Sequence, residues 1–491
     1  MKLRSFKFYF LVFVIILIFL SIYTIRWEGF LEYSIFNLAY SISNNKYSIP
    51  CNANTSDISV INGKCYSNKF PGLAIFASPW IKLTNEVKEF FSLDNEEKIK
   101  NEILIRKKIN GKEVIVNKST FFHRFQIFVV TFFTISIYFI ISMCLGFLLS
   151  YKILKNLKKA FIFVIFFTFS TLLLPYSSNF IAESFGASLI FISFYFLFSK
   201  KNNRKRIIIA GIFSGYALLT CAWSFFIFFG FLLYVFIKIR KKAIYFIFGT
   251  FLGSLPLFFY NFSITGNPFI FPFKFQDPQI WKAEEWIFSR ETYGFIFDLE
   301  RIFLNFVQLT ILPYRGIFFF YPIYLFLFII IFLNFKILTK NEKILTLIFF
   351  FSFFFSLIVN SMYWYWWGGK IWVNRFLLPI IHLSYFWFFL LFFKIFGNQK
   401  FNEIIIITTF FLIYSVFWNF IGVTQPWIEG CTVNLGEGIS EYCKKKVEEI
   451  EPPFVLWDFY LKTLQEYGFK FRFIESVLNG DIEIRSQVFY K

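Results

Sequence analysis

The chain has 491 residues, of which 57% are hydrophobic, 25% aromatic and only 16% charged. Because a soluble domain is about 25% charged, this composition excludes a soluble enzyme, a disordered chain and a secreted disulfide scaffold. Repeated apolar runs of roughly 17 to 25 residues are long enough to cross a bilayer. The composition therefore predicts an all-α polytopic membrane protein. The net charge of +20 would indicate nucleic-acid binding in a soluble protein, so its position along the chain matters.

The apolar runs predict about eleven transmembrane helices. They lie near residues 8–25, 125–150, 160–175, 180–199, 207–221, 223–237, 243–261, 317–335, 345–360, 376–396 and 404–421. The first run follows a basic start, but it is longer than the apolar part of a usual signal peptide and no small-residue cleavage site follows it. It is therefore predicted to be a retained helix. A stretch near 302–313 is too short to span and is predicted to be re-entrant or interfacial.

The positive charge is concentrated in alternate connections between the predicted spans. These segments hold 21 basic residues and two acidic ones, a net charge of +19 out of +20. The basic residues are Lys2, Arg4, Lys7, Lys152, Lys155, Lys158, Lys159, Lys200, Lys201, Arg204, Lys205, Arg206, Lys238, Arg240, Lys241, Lys242, Lys336, Lys340, Lys343, Lys394 and Lys400. The charge is thus a topology signal that puts the N-terminus inside, and it no longer indicates a nucleic-acid partner.

With an odd number of spans, the longer outer segments are residues 26–122, residues 262–303 and the tail. The chain is accordingly divided into a transmembrane domain, residues 1–421, and a small extracytoplasmic C-terminal segment, residues 422–491. The first loop is too long to be a simple connector and is expected to hold structure of its own. Within it, Leu73 to Phe91 mixes apolar and charged residues at helical spacing, which predicts a helix lying in the interface.

Four cysteines lie in the predicted outer segments. They are Cys51 and Cys65 in the first loop and Cys431 and Cys443 in the tail. Two pairs in an oxidising compartment predict two local disulfides, and four unpaired thiols are the alternative. Metal binding is less favoured, because the spacings do not match zinc motifs and both histidines lie elsewhere.

Glu183 is the sharpest single feature, since no other acidic residue lies between Glu113 and Asp277. A carboxylate in a membrane helix is costly, which favours a functional group that faces a cavity. The alternative is a carboxylate near the interface that caps or pairs locally. Just after the first span, Glu28 and Glu32 are four residues apart and share a helical face. They are candidates for a base at the bilayer surface, or else part of a solvated turn.

Two later segments contain cations beside aromatic residues. Tyr66 and Lys69 precede a Pro-Gly turn that could hold a phosphate, although a plain surface turn is equally compatible. Trp366, Trp367, Lys370 and Arg375 lie in a Trp-rich connection with a Gly-Gly break, and Arg315 is a further outer cation. Such aromatic residues often form an interfacial belt. Aromatic faces also stack on sugars, and Arg pairs bidentately with phosphate.

The order of these segments resembles the GT-C superfamily of integral-membrane glycosyltransferases. It is most similar to bacterial relatives of the protein O-mannosyltransferases and the lipid A aminoarabinose transferase. The marks are an acidic position after the first span, Tyr-Ser-x-Lys-x-Pro-Gly from Tyr66 to Gly72, Tyr176 leading to Glu183, Arg-Gly-x-Phe-x-x-Tyr-Pro from Arg315 to Pro322, and Trp-Trp-Gly-Gly followed by Arg-Phe-Leu-Leu-Pro.

The resemblance implies transfer of a sugar from a polyprenyl-phosphate carrier to an acceptor on the extracytoplasmic face. It implies that Glu28 or Glu32 is the base and that Glu183 is a second carboxylate of the site. By the same resemblance, Lys69, Arg315 and Arg375 would hold the donor phosphate. The family often has Asp or Asp-Glu after the first span, so the two glutamates here leave the choice of base open.

The expected localisation is a bacterial inner membrane, and the partners are the bilayer, the lipid-linked donor and an unknown glycan, lipid or protein acceptor. Some members of the superfamily use a divalent metal, but no Asp-x-Asp occurs in this chain, so no cofactor is predicted. The alternatives are a transporter or flippase of a lipid-linked sugar, which predicts inverted repeats that the sequence does not show, and a surface-polysaccharide polymerase or ligase.

Overall fold

A computed structural model describes most of the predicted membrane domain. The described residues are 2–24, 30–51, 55, 57–90, 104–109, 112–117, 121–198, 203–238, 240–276, 295–313, 315–363, 365–368, 371–397 and 403–424. Four of the predicted site and disulfide residues, Glu28, Lys370, Cys431 and Cys443, lie outside these ranges, as does nearly all of the predicted C-terminal segment.

The described ranges are mainly helical. The α-helices are α1 (Lys2–Thr24), α2 (Phe30–Ser43), α3 (Gly72–Phe90), α4 (Phe121–Thr131), α5 (Ile137–Leu154), α6 (Leu157–Ser170), α7 (Leu173–Tyr176), α8 (Ala182–Phe198), α9 (Arg204–Thr220), α10 (Phe225–Lys238), α11 (Ala243–Thr265), α12 (Leu299–Thr310), α13 (Ile317–Phe320), α14 (Pro322–Leu333), α15 (Lys340–Met362), α16 (Leu378–Phe396) and α17 (Glu403–Thr424). The strands are β1 (Ile58–Ile61), β2 (Lys64–Ser67), β3 (Leu104–Ile109) and β4 (Lys112–Asn117).

Each of the eleven predicted spans coincides with helical structure, and the chain is a multi-pass membrane protein. By length and composition, six helical segments in the described ranges can cross a membrane, and three shorter apolar helices accompany them. The total of eleven and the inside position of the N-terminus stay predictions. The stretch near 302–313 is the helix α12, and the segment predicted to lie in the interface is α3.

The first long loop is not purely helical, which corrects the all-α prediction for this segment. Strands β1 and β2 pair antiparallel, as do β3 and β4. Asn62 and Gly63 join β1 to β2 with φ of 51° and 73°. An Asn-Gly dipeptide with both φ angles positive is the favoured two-residue hairpin turn, because its twist matches that of the strands.

The predicted disulfide of the first loop is present. Cys51 and Cys65 are bonded, with their Cα atoms 5.2 Å apart. Cys65 lies in β2, and Ile49 forms a bridge with it, so the disulfide fastens the segment that follows α2 to the hairpin. This hairpin runs directly into the Tyr-Ser-x-Lys-x-Pro-Gly segment.

Helices α9 and α11 pack closely because glycines line their interface. Gly211 and Gly215 of α9 face Gly249 and Gly253 of α11, each pair in G-x-x-x-G spacing. A Cβ atom added at Gly215 would lie 2.1 Å from the carbonyl oxygen of Thr250. Such small-residue contacts let membrane helices approach at backbone distance.

Helix α16 is the most enclosed of the candidate spans in the described ranges, with 83% of its apolar stretch buried. It packs against α8, α14 and α15 and contacts α5 and α6. Pro379 occupies its first turn, where a missing N–H costs nothing. Arg375 lies three residues before the first residue of this helix, and its carbonyl accepts the N–H of Leu378 at 3.0 Å, so the start of the helix positions it.

Candidate active site

A buried ion pair joins two of the predicted site residues. Glu183 lies in the first turn of α8, and its Oε1 is 3.4 Å from Nε of Arg375. Each side chain is 9% exposed. The carboxylate also benefits from the helix N-terminus, where the peptide dipoles favour negative charge. Its other oxygen, Oε2, has no hydrogen-bond partner among the described residues.

Pairing with Glu183 stabilises the charged form of Arg375 in this buried setting. Burial by itself lowers the pKa of Arg375, but attraction to Glu183 and to other nearby groups outweighs it and leaves the pKa raised. A buried charge that lacked a partner would be strongly destabilising. The fold brings Glu183 and Arg375 together although almost two hundred positions separate them in the sequence.

The turn that carries Arg375 has a constrained backbone. Val373 has a φ of 49°, a left-handed conformation that β-branched residues rarely adopt. The side chain of Asn374 accepts the N–H of Phe376 at 2.9 Å and donates to the carbonyl of Trp366 at 3.2 Å. Residues held in such conformations cluster at functional sites, because the surrounding structure must over-determine them.

Two further side chains hold the carbonyls of the same turn. Arg315, 1% exposed, donates from Nη1 to the carbonyl oxygen of Ile371. Tyr176 donates its hydroxyl to the carbonyl of Trp372. The indole of Trp372 in turn donates to the hydroxyl of Tyr321 at 2.9 Å. Arg315 is therefore directed at the backbone of the turn.

A second ion pair involves the first-loop hairpin. Lys69 Nζ lies 2.8 Å from Oδ1 of Asp57, and the two side chains are 24% and 12% exposed. Asp57 is also close enough to Arg375 for their charges to interact. The Asp57–Lys69 pair is therefore within electrostatic range of the Glu183–Arg375 pair. Sequence reasoning missed Asp57, since it lies in a short polar stretch with no motif around it.

Close helix contacts bring the hairpin to the side of Glu183. A Cβ added at Gly72 would lie 2.8 Å from the Cα of Thr220, at the end of α9. One added at Gly186, in the first turns of α8, would lie 3.3 Å from Cβ of Cys221. The start of α3, the end of α9 and the start of α8 therefore converge beside Glu183.

Glu32 belongs to the same neighbourhood through its helix. It is 4% exposed on α2. Two positions further on, Ser34 donates to the carbonyl of Asp57 at 2.8 Å and shares a 2.7 Å hydrogen bond with Ser67. Helix α2 is therefore attached to the segment that carries Asp57 and Lys69.

The predicted aromatic residues are mostly enclosed. Trp366 is 2% and Trp367 is 4% exposed, and Tyr66 is half-buried in β2. Trp367 packs against Tyr365 with ring centroids 4.6 Å apart, and Tyr365 lies within charge-interaction range of Arg375. These indoles line the interior of the protein, next to the charged group.

Several buried polar atoms near these segments have no hydrogen-bond partner among the described residues. Besides Glu183 Oε2, they include both amide atoms of Asn179, both amide atoms of Asn68 and the indole nitrogen of Trp367. Buried polar groups in native structures are usually hydrogen-bonded, so these atoms favour a place for water or a ligand. No group of three or more His, Cys, Asp or Glu that could hold a metal ion occurs in the described ranges.

Neither a family model nor a curated protein matches the sequence. Among solved structures, the archaeal oligosaccharyltransferase AglB from Archaeoglobus fulgidus, in complex with an inhibitory peptide and a dolichol-phosphate, matches with a TM-score of 0.44 and 14% identity. The match covers 93% of this chain and 60% of that one. ArnT from Cupriavidus metallidurans, bound to undecaprenyl phosphate, matches with a TM-score of 0.44 and 10% identity over 96% of this chain and 77% of that one.

The present chain spans about 60% of the length of the oligosaccharyltransferase. Similarity at these scores says nothing about the donor, the acceptor or the catalytic residues of this chain.

Proposed function

We propose that this protein is a membrane glycosyltransferase that moves a sugar from a polyprenyl-phosphate donor to an acceptor on the extracytoplasmic face. The observation that carries the proposal is the buried Glu183–Arg375 pair with the Asp57–Lys69 pair beside it. Ionisable groups inside a membrane protein are expensive and mark functional sites by default. Two cations and two carboxylates within electrostatic range of one another suit a reaction that needs both a phosphate site and a base.

The cations supply the phosphate site. Arg375 and Lys69 are proposed to attract the phosphate of the donor and to stabilise the negative charge that grows on it as the sugar leaves. Because an Arg guanidinium matches phosphate geometry bidentately, Arg375 is the stronger of the two candidates. Trp366 and Trp367 are proposed to line the sugar position, and Lys370 and Tyr66 to contribute to donor binding.

A carboxylate supplies the base. The acceptor hydroxyl is a poor nucleophile, so a carboxylate that takes its proton assists attack on the anomeric carbon. The new bond forms from the acceptor oxygen to that carbon, and the bond to the phosphate oxygen breaks with its electron pair. We assign the base to Glu28 or Glu32, with Glu183 as the second carboxylate of the site.

The role proposed for Arg315 is not to bind the phosphate directly. Its guanidinium is buried and donates to the carbonyl of Ile371, four residues before Arg375. We therefore propose that Arg315 positions the turn that carries Arg375 and adds positive electrostatic potential on the buried side of that turn. The phosphate would then meet Arg375 in a conformation that is already set.

The test is transfer by purified full-length protein in lipid nanodiscs. Label from a polyprenyl-phosphate sugar should pass to an acceptor fraction without ATP or an ion gradient. Glu28→Gln, Glu32→Gln and Glu183→Gln remove charge while keeping size, and the variant that loses the base should be slower by roughly 10²-fold or more. Glu342→Gln, in the far ion pair with Lys394, is the matched control.

Two results would contradict the proposal. Near-normal transfer by all three variants would refute the carboxylate mechanism. Movement of lipid-linked sugar across the bilayer without any transfer would instead favour a flippase. A screen of donor lipids with different sugars would identify the donor.

A further inference from the structure

We propose that Asp57 occupies, in the donor-free protein, the place that the donor phosphate takes on Lys69, and that donor binding exchanges one anion for the other. This inference rests on the proposed function and deepens it. It assigns a role to a residue that no sequence motif indicates. Asp57 would then decide which phosphates Lys69 accepts.

The geometry gives Asp57 a fixed place beside Lys69. Its carbonyl accepts the N–H of Asn68 at 3.2 Å and the hydroxyl of Ser34 at 2.8 Å, and its own N–H donates to Thr55 at 3.1 Å. Lys69 is anchored by its N–H, which donates to Ser67 at 3.2 Å. The two backbones are therefore held together.

The carboxylate of Asp57 meets the free end of the lysine side chain. Oδ1 is 2.8 Å from Nζ, and at 12% exposure Asp57 is the more enclosed partner. Lysine is a flexible point charge with three donors, so a phosphate can capture its ammonium without moving the backbone. The exchange needs only a change of side-chain position.

Charge balance makes the exchange necessary for tight donor binding. Asp57 and Glu183 already neutralise Lys69 and Arg375, and Arg315 is engaged with a backbone carbonyl. A phosphate that arrives beside Lys69 meets the negative charge of Asp57 at short range, where the two like charges repel each other. Asp57 must therefore give up its contact with Lys69.

This competition makes Asp57 a specificity determinant. A free phosphate ion has no chain to concentrate it at the membrane and competes poorly with the carboxylate already in place. The hydrocarbon chain of a lipid-linked phosphate holds it at the bilayer surface, which raises its effective concentration at Lys69. The exchange would thus favour the lipid-linked phosphate over the free ion in the same surroundings.

The experiment measures binding to the full-length protein in nanodiscs by intrinsic tryptophan fluorescence. The probes are a polyprenyl monophosphate and inorganic phosphate. We expect Asp57→Asn to bind the lipid roughly fivefold more tightly than the wild type, the scale of one partly exposed ion pair. Inorganic phosphate should compete better with the lipid in this variant. Asp57→Glu, which keeps the charge, should bind like the wild type.

Three controls make the result specific. Lys69→Ala should weaken binding, and adding Asp57→Asn to it should give no gain, because the cation being competed for is gone. Glu342→Gln should change nothing. Should Asp57→Asn fail to fold, as judged by its melting temperature, Asp57→Ser removes the same charge with a smaller side chain.

The outcomes separate this inference from the proposed function. Lipid binding by the wild type that neither Asp57→Asn nor Asp57→Ser strengthens would overturn the exchange and leave the glycosyltransferase proposal standing. A gain that persists in the Lys69→Ala background would also overturn it. No binding of polyprenyl phosphate by the wild type or any variant would overturn both.

Discussion

Helix α16 has an ion pair at each end, and the two pairs differ in how their carboxylates are used. The helix has 19 residues, so the ends are about 28 Å apart. Arg375 precedes it and pairs with Glu183, whereas Lys394 lies in its last turn and pairs with Glu342. Both glutamates lie in the first turn of their own helix, α8 or α15.

The Glu342 carboxylate is fully engaged. One oxygen contacts Lys394, and the other accepts the N–H of Thr339 in a capping box at the start of α15. Lys394 is 37% exposed. By contrast, Glu183 is buried and leaves one oxygen without a partner in the described structure. The same residue type in the same helical position is a structural cap in one place and a group open to a ligand in the other.

Removal of the two cations should affect stability very differently. Arg375→Ala leaves Glu183 buried without a cation, which should lower the free energy of unfolding by about 3–5 kcal/mol. Lys394→Ala breaks a more exposed pair and should cost about 1 kcal/mol or less. Thermal unfolding in the same detergent compares the two variants. Adding Glu183→Gln to Arg375→Ala should recover stability, because the unpaired charge is removed.

The result that would break the comparison is an Arg375→Ala protein as stable as Lys394→Ala. The Glu183–Arg375 pair would then contribute no more to the free energy of unfolding than a surface ion pair does. Loss of donor binding in Arg375→Ala should accompany its loss of stability, since the same guanidinium is proposed to meet the phosphate.

The two glutamates should differ in catalysis. Glu183→Gln should reduce turnover by about 10²-fold, because Arg375, which is proposed to stabilise the leaving phosphate, loses the counter-ion that holds it in place. Glu342→Gln should transfer sugar at nearly the normal rate. Single-turnover measurements with saturating donor lipid separate this effect from weaker binding. Equal effects of the two substitutions would mean that the position of the carboxylate does not matter.

Only the end of the bundle near Arg375 adjoins a disulfide in the described structure. Replacing Cys51 and Cys65 with Ser removes a cross-link between residues 14 positions apart, worth at most about 3 kcal/mol. We expect faster proteolysis of the first loop and several-fold lower transfer, with a nearly unchanged melting temperature of the helix bundle. Mass spectrometry without reduction checks the bond in the wild type, and free thiols at both positions would contradict it.

Local signals in the sequence found much of this arrangement. Glu183 was indicated because it is the single acidic residue in a long stretch, Arg375 because it follows a Trp-rich break, and the Cys51–Cys65 bond because the two cysteines are close in a predicted outer loop. The helices were predictable from the apolar runs, since membrane-spanning segments must satisfy their own backbone hydrogen bonds.

Contacts between distant segments could not be found in this way. The hydrogen bond from Tyr176 to the carbonyl of Trp372 joins residues 196 positions apart. Asp57 has no distinguishing neighbours, and it acquires a role only when the hairpin sets it against Lys69. The backbone partner of Arg315 could not be predicted either, because every residue has a carbonyl group and the residue type therefore does not indicate which one is bound.

The smallest expected effect concerns the capping box at the far end. Thr339 accepts the N–H of Glu342 at 3.4 Å, and the Glu342 side chain accepts the N–H of Thr339 at 3.0 Å. Thr339→Ala should lower stability by about 1 kcal/mol, the usual cost of losing an N-cap, and leave transfer unchanged. Thr339→Ser keeps the hydroxyl and should restore the melting temperature. If Thr339→Ala instead slowed transfer while the melting temperature held, this end of the molecule would be coupled to the site, and the division between a structural and a chemical end of α16 would be wrong.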